Sequence, residues 1–238
     1  MKIKNITKIA FCDFDGTLSK GFISMEFLDY VYKKGVYSKQ NYENQMDLYT
    51  KAKDKKLSYE LWCKRWGEEW AAGLKNQTYN AIEEQAKEFF KQFKSNIYDS
   101  SYSLIKNLKE ADYYIITISV GAYDVVNLAA SALEMDECYA TRLKFKDMVC
   151  TGKLATSIHI PGGKEKAIKK IAKEKNVPFE NCIALGDSAS DMEMFELVKK
   201  PIALNPTPEL LKLAKQKKIP YFNHENVLKG IRDTLKTD

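Results

Sequence analysis

Lys8-Ile9-Ala10-Phe11-Cys12-Asp13-Phe14-Asp15-Gly16-Thr17 is an apolar run that stops abruptly at two aspartates and a glycine. It reads as a short buried strand, from about Lys8 to Phe11, opening into a loop. Three later runs behave the same way. Residues 113–118 end at Ser119-Val120-Gly121, residues 182–185 at Gly186-Asp187, and residues 201–204 at Asn205-Pro206. None alternates cleanly, as expected of parallel strands covered on both faces. Residues 103–110, 123–133, 164–175, 192–199 and 208–217 carry apolar side chains every three or four positions and read as helices. Strands alternating with helices predict an α/β fold with a doubly wound, Rossmann-like parallel sheet. In such sheets ligands bind beyond the carboxyl ends of the strands, where every one of these polar motifs falls.

One segment breaks the alternation. Residues 18–95 show helical patterning and no convincing strand, which predicts an inserted all-helical cap domain; residues 1–17 and 96–238 form the core domain. Trp62, Trp66 and Trp70 recur every four positions on one helix face, a pattern read first as packing. A further short strand pair is expected within residues 139–153, with Thr151-Gly152-Lys153 near its turn.

Composition narrows the classes. The 238 residues are 45% hydrophobic, enough for a sizeable core. The net charge of +6 comes from scattered lysines and only three arginines, which argues for a solvated surface and against nucleic-acid binding. The five cysteines form no C-x-x-C pair, so reduced thiols in the cytoplasm are expected. The first fifteen residues hold no long apolar signal region, and no run approaches the ~18 apolar residues of a membrane span. A cytoplasmic protein without membrane partners is expected. The sequence carries no readable sign of oligomeric state.

Asp13 and Asp15 would point apart on an extended chain, but the turn at Gly16 lets both reach one centre. Two carboxylates so close repel, and a divalent cation is the natural way to keep both ionised. Gly186-Asp187-Ser188-Ala189-Ser190-Asp191 adds two more acids at a strand end. Taken singly, Asp187 is a turn residue and Asp191 a helix cap. Together the four give a carboxylate-rich sheet edge whose oxygen-only donors favour Mg²⁺. Ser119, with the backbone of Val120 and Gly121, suits a phosphate oxygen, although Ser and Gly are also ordinary turn residues. Gly162-Gly163-Lys164 opens a helix, where Lys164 is placed either on the surface or against an anion.

An aspartate pair, a serine after a strand, a lysine and a strand-end G-D-x-x-x-D, in that order, resemble the haloacid dehalogenase-like phosphatase superfamily. The chain looks most similar to its phosphoserine phosphatase-like subgroup with a helical cap. Thr141-Arg142-Leu143, Thr151-Gly152 and residues 201–206 support that placement more weakly. The resemblance implies that Asp13 is a nucleophile forming an aspartyl-phosphate and that Asp15 is a general acid and base. It implies a Mg²⁺ site at Asp13, the backbone carbonyl of Asp15 and Asp187. Ser119 and Lys164 would hold the phosphoryl oxygens, and Asp191 would orient Lys164 or a metal-bound water. The implied substrate is a small phosphomonoester. A phosphotransferase or phosphomutase using the same intermediate, and a non-catalytic regulatory protein, are the alternatives.

The chain departs from the phosphoserine-specific pattern at one point. That pattern has a glutamate nine residues after the nucleophile, where this chain has Phe22. The nearest acid beyond it is Glu26, and Arg65 is the one arginine before Arg142. Phe22, Glu26 and Arg65 are therefore the candidate substrate contacts of the cap.

Overall fold

The computed structural model describes residues 6–156 and 158–236. The first five residues, assigned above to the core domain, lie outside them. Strand β1 (Ile9–Cys12) leads into four helices, α1 (Ile23–Lys33), α2 (Lys39–Lys53), α3 (Tyr59–Gly73) and α4 (Tyr79–Phe93). The chain then alternates through α5 (Asp99–Glu110), β2 (Tyr114–Ala122), α6 (Tyr123–Ala132) and β3 (Glu137–Thr141). A hairpin, β4 (Leu143–Lys146) and β5 (Val149–Leu154), precedes α7 (Gly163–Lys175), β6 (Cys182–Gly186) and the short α8 (Met192–Phe195). Strand β7 (Lys200–Leu204), α9 (Pro208–Lys217), β8 (Tyr221–Phe222) and α10 (Val227–Lys236) complete it.

Among the described residues six strands form one sheet in the order β3-β2-β1-β6-β7-β8, every pairing parallel. The order reverses at β1, whose neighbours are β2 on one side and β6 on the other. This is the doubly wound topology expected, and its switch point lies between the two motifs richest in aspartate. Successive residues of β1 face opposite ways. Ile9 and Phe11 join a core with Ile168, Ile171 and Leu210 of α7 and α9. Ala10 and Cys12 join the other, with Leu104, Val125 and Ile231 of α5, α6 and α10. Both faces are thus covered, and that explains why the strands read as unbroken apolar runs.

The helical insert occupies the chain between β1 and β2, as its patterning predicts. Its core holds Trp70 against Phe27 and Trp66, the two indoles stacked 5.8 Å apart. The hairpin binds the insert rather than the sheet: the Asn76 N–H donates to the Cys150 carbonyl, and the Tyr79 N–H to that of Met148.

Three local expectations need correction. The hairpin turn is at Asp147-Met148, both at positive φ, while Thr151-Gly152-Lys153 lies inside β5. Ser119-Val120-Gly121 is still strand, because β2 runs on to Ala122 with a register shift against β3. The helix expected over 192–199 stops at Phe195. Strand β8 and helix α10 had no sequence reading; a two-residue strand shows no period, and α10 follows a short polar loop.

Candidate active site

The site is built on the carboxyl ends of β1 and β6. The Asp13 N–H donates to the Leu185 carbonyl at 2.9 Å, which continues the β1–β6 ladder one residue further and fixes the first aspartate. The chain then turns at Gly16, whose φ of +79° a side chain rarely adopts. A Cβ there would lie 2.4 Å from an Asp187 oxygen. Close approach of the two loops therefore requires glycine. On the β6 side Gly186 has the same duty, since its Cβ would meet the Asp191 carboxyl carbon at 2.3 Å.

The side chains converge. Lys164, buried at the start of α7, lies 2.6 Å from Asp13 Oδ1 and 2.6 Å from Asp191 Oδ1. Carboxylate oxygens of Asp13, Asp187 and Asp191 come within 4.8 Å of one another. The Thr17 hydroxyl stands 3.1 Å from both Asp13 Oδ2 and Asp187 Oδ1, and its one hydrogen serves only one of them at a time. Three carboxylates thus face one ammonium, leaving the cluster two positive charges short when all are ionised. A divalent cation would meet that shortfall, and all-oxygen donors without His or Cys suit Mg²⁺.

Electrostatics follow from burial. Burial pushes Asp13 above the usual carboxylate range, with Lys164 pulling it partly back. Asp187 is raised by burial and by its neighbours Asp13 and Asp191. For Lys164, burial lowers the pKa, but Asp13 and Asp191 outweigh it and hold the ammonium charged. Burial pushes Asp15 up to about 8.

Asp15 has a second task. Phe22 is the N-cap of α1 and has no side chain able to cap it, yet Asp15 Oδ1 accepts the Ile23 N–H at 2.8 Å. The second aspartate therefore anchors the first cap helix. Ser24 adds another tie, its Oγ accepting the Ala122 N–H at 2.7 Å at the end of β2. Ser119 is buried beside it, with Oγ accepting the Gly121 N–H at 3.0 Å.

Asp191 meets two demands at once. Its Oδ1 receives Lys164, while Oδ2 accepts the Ser188 N–H at 2.9 Å in a capping box. Glu193 was not recognised in the sequence. Its carboxylate accepts the N–H groups of Gly162 (2.8 Å), Lys164 (3.0 Å) and Glu165 (3.3 Å), so it caps α7 and fixes the backbone from which Lys164 projects. Thr17 was likewise passed over, although it stands in the quoted motif.

A cavity of about 870 Å³ opens from this cluster toward the cap. Asp13, Asp15, Ser119, Val120, Gly121, Lys164 and Asp187 all line it, as does Phe22. Trp62, the outer member of the tryptophan stripe, lines it too, packed edge-on against Phe22 with ring centres 6.3 Å apart. Glu26 and Arg65 do not line it. Glu26 is exposed and takes the Asn96 amide, and Arg65 is exposed on α3. The packing of α3 on α2 and the hairpin, which no local pattern encodes, decides which of its residues face inward.

The sequence matches the haloacid dehalogenase-like hydrolase family over residues 10–196, from β1 through the Asp187–Asp191 loop. The chain belongs to this family. Over 106 residues it is 33% identical to a phosphoserine phosphatase of Methanocaldococcus jannaschii, a match covering 44% of this chain and 50% of that protein. The chain therefore spans only about half the length of that curated relative. Among solved structures, a protein of unknown function from Bordetella pertussis Tohama I superposes with a TM-score of 0.79 at 17% identity, covering 92% of this chain and 99% of the other. A substrate-bound phosphoserine phosphatase complex superposes with a TM-score of 0.66 at 24% identity, covering 94% and 97%. These likenesses show a shared fold. Among the described residues no helix of this family member is long and apolar enough to cross a membrane.

Proposed function

We propose that this protein is a Mg²⁺-dependent phosphomonoesterase working through a phosphorylated Asp13. The observation that carries this reading is the buried Asp13–Lys164–Asp191 chain, with Asp187 beside it, at the switch point of the sheet. An Asp13 carboxylate oxygen attacks phosphorus in line with the alcohol oxygen, and the phosphorus–oxygen bond to the alcohol breaks. Asp15 gives its proton to the departing oxygen, then takes one from the water that attacks the aspartyl-phosphate. The water oxygen bonds to phosphorus, phosphate leaves, and the Asp13 carboxylate is restored. Lys164 and Ser119 hold the phosphoryl oxygens, and Asp191 holds Lys164 in place. Bound at Asp13, Asp187 and the Asp15 carbonyl, Mg²⁺ would offset the repulsion between carboxylate and phosphate.

Membership of a hydrolase family and a phosphoserine phosphatase among the relatives support the reading. The five cysteines are buried and unpaired, which supports a reducing, cytoplasmic setting. The test is phosphate release from a panel of phosphomonoesters with Mg²⁺ or with chelator, using wild type and Asp13→Asn. Release that needs both Mg²⁺ and Asp13 is the expected result. A new phosphoester in place of free phosphate would indicate a phosphotransferase, and unimpaired release by D13N would refute the nucleophile.

A further inference from the structure

The cavity that receives the ester is uneven in charge. Its deep end has Lys164, and among the described residues this is the one lysine or arginine in the lining. That ammonium already serves Asp13 and Asp191. His159 also lines the cavity, but burial pushes its pKa below the ordinary value, so it stays neutral at neutral pH. The backbone donors at the start of α7 are taken by Glu193. The more solvent-accessible charged groups of the lining are carboxylates: Glu60, Glu165, Glu196 and Glu209. Lys169 and Lys217 pair with Glu165 and Glu196, and among the described residues Glu60 and Glu209 have no ion-pair partner. Away from Lys164 and the aspartate cluster, a second anion on the substrate would meet no further lysine or arginine of the lining and would face carboxylates of its own sign.

Part of the lining is aromatic. Phe22 is 48% exposed, a large apolar surface for a residue beside a buried site, and it meets Trp62 edge-on. Tyr59 extends this wall, with ring centres 5.8 Å from Trp62. Aromatic faces of this kind bind apolar or planar bodies, and they set no positive charge against a carboxylate, only neutral donors such as the unpartnered Trp62 Nε1.

We propose that the cavity selects phosphomonoesters whose alcohol bears no carboxylate or other second anion and lays an apolar body on the Phe22–Trp62 wall. The proposal rests on the phosphomonoesterase reading above. Phosphoserine, the substrate in the names of several relatives, falls outside this class because its carboxylate finds no lysine or arginine in the lining beyond Lys164, only neutral donors such as Trp62 Nε1.

Phenyl phosphate, 4-carboxyphenyl phosphate and phosphoserine test it, with kcat/KM measured for each in the presence of Mg²⁺. The carboxylated phenyl ester has the better leaving group, so chemistry alone favours it. The expected result is a kcat/KM for phenyl phosphate at least tenfold above that of each carboxylated ester. A smaller preference, or a reversed one, overturns the proposal while leaving the hydrolase intact. No release from any of the three removes the hydrolase reading and the proposal with it. In Trp62→Ala, KM for phenyl phosphate should rise about tenfold with kcat held. An unchanged KM would show that the apolar wall does not hold the substrate.

Discussion

Lys164 Nζ lies 2.6 Å from Asp13 Oδ1, and both side chains are buried. The same nitrogen holds Asp191 at 2.6 Å, so one ammonium fixes both Asp13, the proposed nucleophile, and its neighbour. Lys164→Met removes that charge with little change in volume. Loss of one preorganised group of this kind lowers kcat by about 10²–10³. Two buried carboxylates lose their counter-ion as well, and the metal-free protein should lose about 3–5 kcal/mol of stability. Steady-state kinetics and urea unfolding check the two parts. A kcat within threefold of wild type would remove Lys164 from the phosphoryl site.

The carboxylates also set a pH dependence. Burial lifts Asp15 to about 8, and Asp13 and Asp187 move in the same direction. Between the unfolded carboxylate value, about 4, and these raised values the folded chain holds protons that the unfolded chain has lost. Stability of the metal-free protein therefore falls as pH rises toward 8. His224 has the opposite sign, because burial pushes it down to about 4; its contribution is full above about pH 6.5 and is lost as pH falls from there. A titration from about pH 7.5 to 8 leaves His224 and His159, both lowered by burial, largely neutral in both states and isolates the acids. In chelator the Tm should drop across that window, and added Mg²⁺ should raise it more at the upper end. A Tm in chelator that is flat or rising would contradict the assignment.

The parts of this site that could be read in advance are those whose chemistry is local. Cys12-Asp13 and Gly186-Asp187 stood out because an apolar run ends at an acid, and the sheet places both ends together through its switch point. Ser119 was identified but set in a loop. It remains extended because Thr141 Oγ1 donates to the Val120 carbonyl and Ser24 accepts the Ala122 N–H, supports drawn from distant segments. Glu193 had no visible signal, since it acts on backbone groups 31 residues upstream. Arg65 lies off the cavity lining for a similar reason. Its exposure follows from how α3 packs, and helical period alone does not say which flank of the tryptophan face opens on the cavity.

Glu193 leads to its own test. In Glu193→Ala, three backbone N–H groups at the start of α7 lose their acceptor. Loss of a cap costs about 0.5–2 kcal/mol. The larger effect should be on Lys164, which projects from the freed turn, and kcat should fall about tenfold, one decade per 1.4 kcal/mol. Glu193→Asp, which keeps the charge, should recover part of kcat, whereas a purely structural cap would change Tm and leave kcat alone. An alanine variant with full kcat would refute the positioning role.

Gly16 links the two aspartate loops. Alanine there meets the cost of φ +79° and a Cβ 2.4 Å from the Asp187 carboxylate. Left-handed backbone in a non-glycine residue costs about 1–3 kcal/mol. To escape the clash, Asp187 must move away from Asp13 and Thr17. Gly16→Ala should therefore fold with reduced stability and bind Mg²⁺ more weakly by calorimetry. Unchanged Mg²⁺ affinity would mean that Asp187 is not a ligand.

The tryptophan stripe divides along its length, and that division is measurable. Trp70 is fully buried between Phe27, Tyr37 and Trp66. Trp62, two helical turns earlier on the same face, lies where α3 leaves the core of the insert and borders the cavity. The same residue type at the same helical phase thus has two environments, because the cap's packing ends between them. Trp70→Ala opens a large hole and should cost about 3–5 kcal/mol in urea unfolding. Trp70→Phe, which keeps an aromatic ring, should recover most of this. Trp62→Ala leaves the core closed and should cost less than half as much, its main effect being on KM. Equal losses of stability at the two positions would show that Trp62 is a core residue, and the apolar wall of the cavity would then rest on Phe22 and Tyr59 alone.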